Sequence, residues 1–263
     1  MPEKKLFIIT DLEGVAGVMT FDDVQLNGRY YERSKYLLTS ELNAVVEGIL
    51  EETEAEIYVL DGHGCGGINY EEIHPEVKLI GGKGFYLPLE MDRGSDALFF
   101  VGQHARNGAP NAHLNHTMNH RSIVEAKING IPIGEFGIWA AFAGELNIPT
   151  VFLSGDSAAC QEAEELVLDI VTVAVKEGID RELAVHLSHP KALEMLKAGS
   201  KKAVEMISKL KPLKFAPPYI FELTFIDSLQ AKRMAVGKKG KLKNPNTVLF
   251  EYPNYWDVAN VWF

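Results

Sequence analysis

Cysteine is scarce in this chain of 263 residues, which contains only Cys65 and Cys160, far apart in the sequence. A disulfide framework needs more cysteines than this, so the composition favours a protein of a reducing compartment. The amino terminus leads directly into an apolar segment without the usual pattern of a secretory signal. We therefore expect a cytoplasmic protein.

Long apolar runs and an excess of positive charge are also missing. No stretch approaches the roughly 18 consecutive apolar residues of a membrane-spanning helix, so we expect no membrane partner. The formal net charge of −10 argues against a nucleic-acid partner, because phosphates bind basic surfaces. The single basic run, residues 238–243, is interpreted as a solvated loop.

With 46% apolar and 24% charged residues, the composition is typical of a soluble globular protein. Apolar strand-like runs alternate with segments of helical periodicity over the first two thirds of the chain. This pattern predicts an α/β fold with a mostly parallel central sheet flanked by helices. The pattern changes near Ser188 and Pro190, so we predict a catalytic domain over residues 1–188 and a smaller α+β lobe over 189–263.

The first predicted strand, residues 6–10, is a continuous apolar and β-branched run that ends in two carboxylates, Asp11 and Glu13. Such a run is typical of a strand buried on both faces of a parallel sheet. Alternate side chains share a face, so both acids lie together at the carboxyl end, where open α/β sheets bind ligands. A bound cation would relieve their repulsion, although a solvated strand end is the simpler alternative. We expect Gly14 to permit a sharp turn in a conformation that other residues resist.

Two further predicted strands end in histidines: His63 follows residues 56–60, and His104 follows residues 97–102. Glu135 comes after a predicted hairpin turn at residues 129–130 and opens a helix that we predict mainly over 138–146. Two histidines and three carboxylates form a ligand set for zinc, with manganese and cobalt as alternatives. Because five protein ligands exceed the three of a mononuclear catalytic zinc site, we predict two metals that share a bridging carboxylate, which we assign to Asp11.

His116 lies in a polar loop twelve residues beyond His104. An imidazole near two cations suits a general base or a group that stabilises a tetrahedral intermediate. His113 and His120 are alternatives, because they are i−3 and i+4 from His116 if this stretch is helical.

Five short motifs occur in an order and spacing that are specific together: residues 11–14, 61–63, 102–106, 115–118 and 134–137. In these motifs the chain resembles the zinc-dependent D-aminopeptidases related to the dipeptide-operon aminopeptidase of bacilli (peptidase family M55). The resemblance implies a catalytic histidine at His116 and two zinc ions held by Asp11, Glu13, His63, His104 and Glu135. It also implies cleavage of amino-terminal D-residues from short peptides, and decameric homo-oligomers built as stacked rings.

Two other functions remain open from the sequence. The Asp-Leu-Glu-Gly segment at 11–14 is similar to the Asp-x-Asp-Gly motif of haloacid-dehalogenase-type phosphohydrolases, but that site leaves His63 and His104 unused. A non-catalytic metal-binding accessory protein would bind metal without turnover. The carboxyl terminus is rich in aromatic and apolar residues. Exposed apolar patches commonly mark interfaces, so we expect this segment to contribute to assembly with further copies of the chain. The residues are Tyr252, Tyr255, Trp256, Val261, Trp262 and Phe263.

Overall fold

Seven strands form the larger sheet in the computed structural model, which describes residues 3–82 and 87–262. The strands lie in the order β3-β2-β1-β4-β7-β8-β9, and only the pair β8–β9 is antiparallel. The predicted mostly parallel sheet is therefore confirmed. The bounds are β1 (Lys4–Thr10), β2 (Ala55–Asp61), β3 (Val77–Ile80), β4 (Ala97–Gln103), β7 (Thr150–Asp156), β8 (Val171–Asp180) and β9 (Leu183–His186).

Strand β1 lies at the centre of this sheet, between β2 and β4. Its side chains alternate between two apolar layers: Leu6 and Ile8 belong to one core cluster, and Phe7 and Ile9 to the other. All four are almost completely buried, as the continuous apolar run predicted. The carboxyl end of β1 is therefore fixed from both sides by the core.

Helices cover both faces of the sheet. Helix α1 packs against α4 over the layer that contains Leu6, whereas α2 and α6 contribute to the layer that contains Phe7. Ser188 is the N-cap residue of α4 and Pro190 lies in its first turn. The bounds are α1 (Tyr31–Glu52), α2 (Glu135–Glu145), α3 (Ser157–Leu166), α4 (His189–Met206), α5 (Ser228–Gly237) and α6 (Tyr255–Trp262).

A second, antiparallel sheet of five strands has the order β11-β12-β10-β5-β6. The hairpin between β5 and β6 turns at residues 129–130, as the Asn-Gly pair predicted. The sheet draws strands from both sides of residue 188, since β5 pairs with β10, while α4 contacts α1 in the first segment. The division of the chain at residue 188 remains a prediction. The bounds are β5 (Ile123–Ile128), β6 (Ile131–Pro132), β10 (Tyr219–Phe225), β11 (Lys241–Asn244) and β12 (Thr247–Tyr252).

Three expectations need correction. Helix α2 begins at Glu135, three residues before the predicted start at 138. The basic run at 238–243 is not wholly a loop, because its last residues begin β11, an exposed edge strand on which lysines prevent further pairing. The expected exposed patch is not seen at the described carboxy-terminal side chains: Tyr255 and Val261 are buried in the core, and Tyr252 and Trp256 are partly buried. The side chain of Trp262 and the whole of Phe263 lie outside the described part of the chain.

Among the helices of the described residues, none is long and apolar enough to cross a membrane.

Candidate metal centre

Three neighbouring strands of the larger sheet deliver polar side chains to one edge. Asp11 and Glu13 follow β1, His63 follows β2, and His104 follows β4. Because these strands are parallel neighbours, their carboxyl ends meet at the same place. Glu135, the first residue of α2, completes the set of five predicted ligands in this cluster.

Two glycines let the β1 and β4 loops approach each other. A Cβ on Gly14 would lie 2.2 Å from the carbonyl oxygen of Gln103, and a Cβ on Gly102 would lie 2.1 Å from that of Asp11. Gly102 also has φ of +77°, whereas Gly14 is not among the residues with positive φ. Glycine is therefore required at position 14 because the backbone of β4 lies too close for a side chain. The expectation of an unusual backbone conformation at Gly14 was wrong.

Asp11 lies at the middle of the cluster and presents one oxygen to each of two histidines. Its Oδ1 is 3.1 Å from Nδ1 of His63, and its Oδ2 is 3.3 Å from Nε2 of His104. A carboxylate in this position has the arrangement of a ligand that bridges two cations.

The other two carboxylates lie on opposite sides of Asp11. Glu13 Oε2 is 3.2 Å from Nδ1 of His63, and Glu135 Oε1 is 3.3 Å from Nε2 of His104. The cluster therefore divides into two half-sites that share Asp11. One contains Glu13 and His63, and the other contains Glu135 and His104.

Each histidine of the cluster bonds a backbone carbonyl through one ring nitrogen. His63 Nε2 is 2.8 Å from Val24 O, and His104 Nδ1 is 2.9 Å from Ala105 O. A carbonyl can only accept, so these nitrogens carry the proton. The opposite nitrogens face the carboxylates, and histidines that bind metals are commonly oriented in this way by a second hydrogen bond.

His116 stands over His104 with the two rings stacked, 3.8 Å apart at their centroids. Its Nδ1 donates to the carbonyl of Leu114 at 3.0 Å, so Nε2 faces the cluster, 3.9 Å from Glu13 Oε1 and 3.8 Å from Glu135 Oε1. Leu114 and Met118, two residues to either side, have φ of 51° and 61°. Left-handed backbone at such residues costs free energy and is often found at functional sites.

The neighbouring histidines lie elsewhere, because the stretch is not helical. His113 is buried, and its Nε2 donates to the carbonyl of Met19 at 3.0 Å, on the far side of the β1 loop. His120 stacks on Phe21 at the wall of the cleft. Of the three histidines, only His116 is paired with carboxylates of the cluster.

The carboxylates attract positive charge to this buried site. Burial lowers the pKa of His104, but the carboxylates of Glu135, Asp11 and Glu13 together outweigh burial and raise that pKa to about 10. Burial together with Glu13 raises the pKa of Asp11 to about 7. In contrast, burial and the neighbouring His104 lower the pKa of His116. The cluster thus favours cationic charge beside Asp11 and a neutral imidazole at His116.

Two buried atoms of the cluster, Nε2 of His104 and Oε2 of Glu13, form no hydrogen bond of good geometry among the described residues, although each lies 3.2–3.3 Å from an oppositely charged group of the cluster. Potential ligand atoms of Asp11, Glu13 and His104 lie within 4.8 Å of one another, as do those of His104, His116 and Glu135. Buried nitrogen and oxygen atoms without a well-formed hydrogen bond are costly, and imidazole with carboxylate is a donor set that suits zinc. The residues therefore fit a metal centre.

Sequence reasoning missed the residues that support these loops. Glu162 of α3 accepts hydrogen bonds from the backbone nitrogens of Arg106 at 2.7 Å and Gly134 at 3.1 Å, next to His104 and Glu135. Buried Lys176 of β8 donates from Nζ to the carbonyls of Glu13 and Val18. For Lys176, the only sequence feature that could suggest burial is its position at the end of an apolar run. For Glu162 no sequence feature suggests burial, because a glutamate on a helix is usually solvated.

A cleft of about 880 Å³ opens over the cluster. Its wall contains four of the five candidate ligands together with His116, and His104 lies beneath them in the core. A cavity of this volume is in the usual range for small-molecule sites. The cluster can therefore act on a small substrate that enters from solvent.

The model of the D-aminopeptidase family matches residues 4–262. The chain belongs to this family. The enzyme is thus a metallo-aminopeptidase, a hydrolase that acts on peptide bonds. A D-aminopeptidase of Bacillus subtilis (strain 168) is 34% identical over 222 residues, which cover 81% of this chain and 78% of the relative.

A solved structure confirms the fold of the enzyme. It is described as the Zn-dependent D-aminopeptidase DppA from Bacillus subtilis, a self-compartmentalizing protease. The TM-score is 0.93 at 28% sequence identity, and the match covers 98% of this chain and 94% of the other. The haloacid-dehalogenase alternative and the non-catalytic alternative are not favoured by these similarities.

Proposed function

We propose that this enzyme binds two zinc ions and removes the amino-terminal residue, with D-residues preferred, from short peptides. The observation that carries the proposal is the position of Asp11, which presents one oxygen to His63 and the other to His104. The zinc dependence of DppA supports zinc as the metal, with manganese and cobalt as alternatives.

In this proposal Asp11 would be shared by the two ions. Glu13 and His63 would hold one ion, and His104 and Glu135 would hold the other. Zinc bound in such a site supplies Lewis-acid polarisation of the scissile carbonyl and lowers the pKa of water toward neutrality. The hydrogen bonds from His63 to Val24 and from His104 to Ala105 keep both imidazoles in the tautomer that can bind metal.

His116 is assigned the proton transfer. Its Nδ1 is committed to the carbonyl of Leu114, which leaves Nε2 to accept a proton from the attacking water and return it to the leaving amine. Its Nε2 is more than 3.5 Å from both glutamate oxygens, so it is less tightly paired with the carboxylates than His63 or His104. This supports a role in the chemical step rather than in metal binding.

The carboxylates around the cleft suit an aminopeptidase, because a substrate with a free α-amino group carries a positive charge at the end that must reach the site. Acidic residues line the cleft at Asp11, Glu13, Asp61 and Glu135. The preference for D-residues rests on the family and on the two relatives, which are both described as D-aminopeptidases.

The proposal includes assembly into a homo-oligomer of stacked rings, a decamer by resemblance, in the cytoplasm. DppA is described as self-compartmentalizing, which supports assembly of this chain with further copies. Both cysteines are free, in keeping with a reducing compartment. Light scattering should give a mass well above the 29.2 kDa of one chain, and a monomer at micromolar concentration would contradict assembly.

The reaction is tested with paired amides of D-alanine and L-alanine and with their amino-acetylated forms. We expect faster hydrolysis of the D-amide and loss of activity on acetylated substrate, because acetylation removes the positive charge. Faster cleavage of the L-amide would contradict the stereochemical part. Undiminished cleavage of the acetylated amide would contradict the exopeptidase part.

A further inference from the structure

The wall of the cleft is acidic near the cluster but also carries one arginine. Among the described residues that line the cleft, Arg121 is the only lysine or arginine. It lies in the same loop as His116, five residues further along the chain. A cleft with carboxylates and one guanidinium can recognise a ligand that carries both charges.

The position of Arg121 is fixed by its neighbours. Its backbone nitrogen donates to Oδ1 of Asn119 at 3.1 Å, and its Nε donates to Nε2 of His120 at 3.2 Å. His120 is itself held by stacking on Phe21, with ring centroids 4.6 Å apart, and by a hydrogen bond of 3.2 Å from Arg181 to its carbonyl. The guanidinium is therefore oriented before a ligand binds.

No carboxylate of the described residues forms an ion pair with Arg121. Arg93, by comparison, pairs with Glu90 at 2.8 Å. With Nε bonded to His120, the two terminal nitrogens can still donate to an acceptor. A guanidinium with both terminal nitrogens available can bind a carboxylate through two parallel hydrogen bonds, which an ammonium group cannot do.

The distance from the cluster limits the length of the ligand. The ring centroids of His120 and His116 are 6.2 Å apart, and Nε of Arg121 is 3.2 Å from Nε2 of His120, so these distances set an upper limit on the span. Two or three extended residues span at most about 7–11 Å. A peptide of this length could therefore reach Arg121 with its carboxyl end while its first peptide bond lies at the cluster.

We propose that Arg121 forms a subsite for the free α-carboxylate of a dipeptide or tripeptide substrate. This inference rests on the proposed aminopeptidase function and narrows its substrates to short zwitterionic peptides. The amino end lies among the carboxylates of the cluster, and the carboxyl end pairs with the guanidinium. Longer or amidated peptides lack the charge at the position that Arg121 recognises.

The test compares D-alanyl-glycine with D-alanyl-glycinamide, which differ only in the carboxylate. For Arg121→Gln we expect the ratio of kcat/KM for the two substrates to fall about 10- to 100-fold, mostly through KM, because a charge-assisted pair is lost. Arg121→Lys should restore part of the ratio. The control is Arg233→Gln, which removes the same charge from the neighbouring cavity and should leave the ratio unchanged.

Two outcomes would overturn the inference: an unchanged ratio in Arg121→Gln, or an equal loss on both substrates, which would indicate a structural role. Calorimetric binding of the two compounds to the zinc-loaded protein separates this inference from the proposed function. If the wild-type protein hydrolyses neither compound, the aminopeptidase proposal fails. The carboxylate subsite then stands only if Arg121→Gln abolishes tighter binding of the dipeptide over its amide.

Discussion

The imidazole of His116 stacks on that of His104, with the ring centroids 3.8 Å apart and the planes 15° from parallel. Both rings direct Nε2 toward the same oxygen of Glu135, at 3.3 Å from His104 and 3.8 Å from His116. Two cationic imidazoles at this separation would repel each other, and the pKa of His116 is lowered by burial and by His104. This favours a neutral imidazole at His116 and supports the proposal that His116 accepts the proton.

Replacing His116 tests this division. We expect His116→Ala to lower kcat by roughly 10²- to 10⁴-fold, the usual contribution of a positioned acid–base group, while the metal content stays near that of the wild type. The measurement combines kinetics on a D-aminoacyl amide with metal analysis of the purified variant. Parallel loss of metal would make His116 a ligand, and a larger kcat loss in His120→Ala would move the role to His120.

Metal analysis of the wild-type enzyme should find about two transition-metal equivalents per chain, as in other two-metal hydrolytic sites. Asp11→Ala should lose more metal than Glu13→Ala or Glu135→Ala, because Asp11 is close to both histidines and each glutamate to one. Full metal content and activity in Asp11→Ala would contradict the bridging role.

The main features of the site were predictable because they follow from short sequence patterns that identify the strands of the sheet. A continuous apolar run predicts a buried parallel strand, and parallel strands end at one edge, so Asp11, His63 and His104 could be placed together from the sequence. The geometry adds that Asp11 lies between the histidines. His116 needed the family resemblance, since three histidines in one polar loop are equivalent until the backbone is known.

The supporting residues could not be predicted, because nothing local marks a polar side chain as buried. Glu162 and Lys176 are found only when α3 and β8 pack against the loops they bind. Strand β9 was missed because it is a short edge strand with exposed apolar residues at Leu183 and Val185. Gly102 begins one of the five sequence motifs, but nothing in the sequence shows that its backbone lies against Asp11.

The contact at Gly102 can be tested against a matched glycine. Gly102 and Gly108 have nearly equal φ, +77° and +76°, but a Cβ on Gly108 would meet nothing within 4 Å. Gly108→Ala therefore introduces backbone strain alone, about 1–3 kcal/mol. Gly102→Ala adds a clash with the Asp11 carbonyl, so it should lower Tm further and reduce bound zinc. Equal Tm and metal content in the two variants would contradict a role for close approach.

Glu41 offers a test of buried charge away from the metal ligands. It lies on α1 with no exposed surface, and its Oε1 accepts a hydrogen bond of 2.9 Å from the backbone nitrogen of Ala16. Burial raises its pKa from 4.5 to about 8, although the Ala16 hydrogen bond and Lys176 act in the opposite direction. Between these two values the folded protein holds a proton that the unfolded chain has lost.

The contribution of Glu41 to stability must then fall as pH rises from about 4.5 to 8, because at this group the folded state binds more protons than the unfolded state over this window. One group contributes at most about 1.4 kcal/mol per pH unit. Glu41→Gln keeps the acceptor for Ala16 but cannot ionise, so its Tm should decline less between pH 5.5 and pH 8 than that of the wild type. Thermal unfolding at equal zinc concentration measures this, with Glu32→Gln on the same helix as the control, since Glu32 is exposed. If Glu41→Gln and Glu32→Gln showed the same pH dependence as the wild type, the carboxyl of Glu41 would have to be ionised in the folded protein.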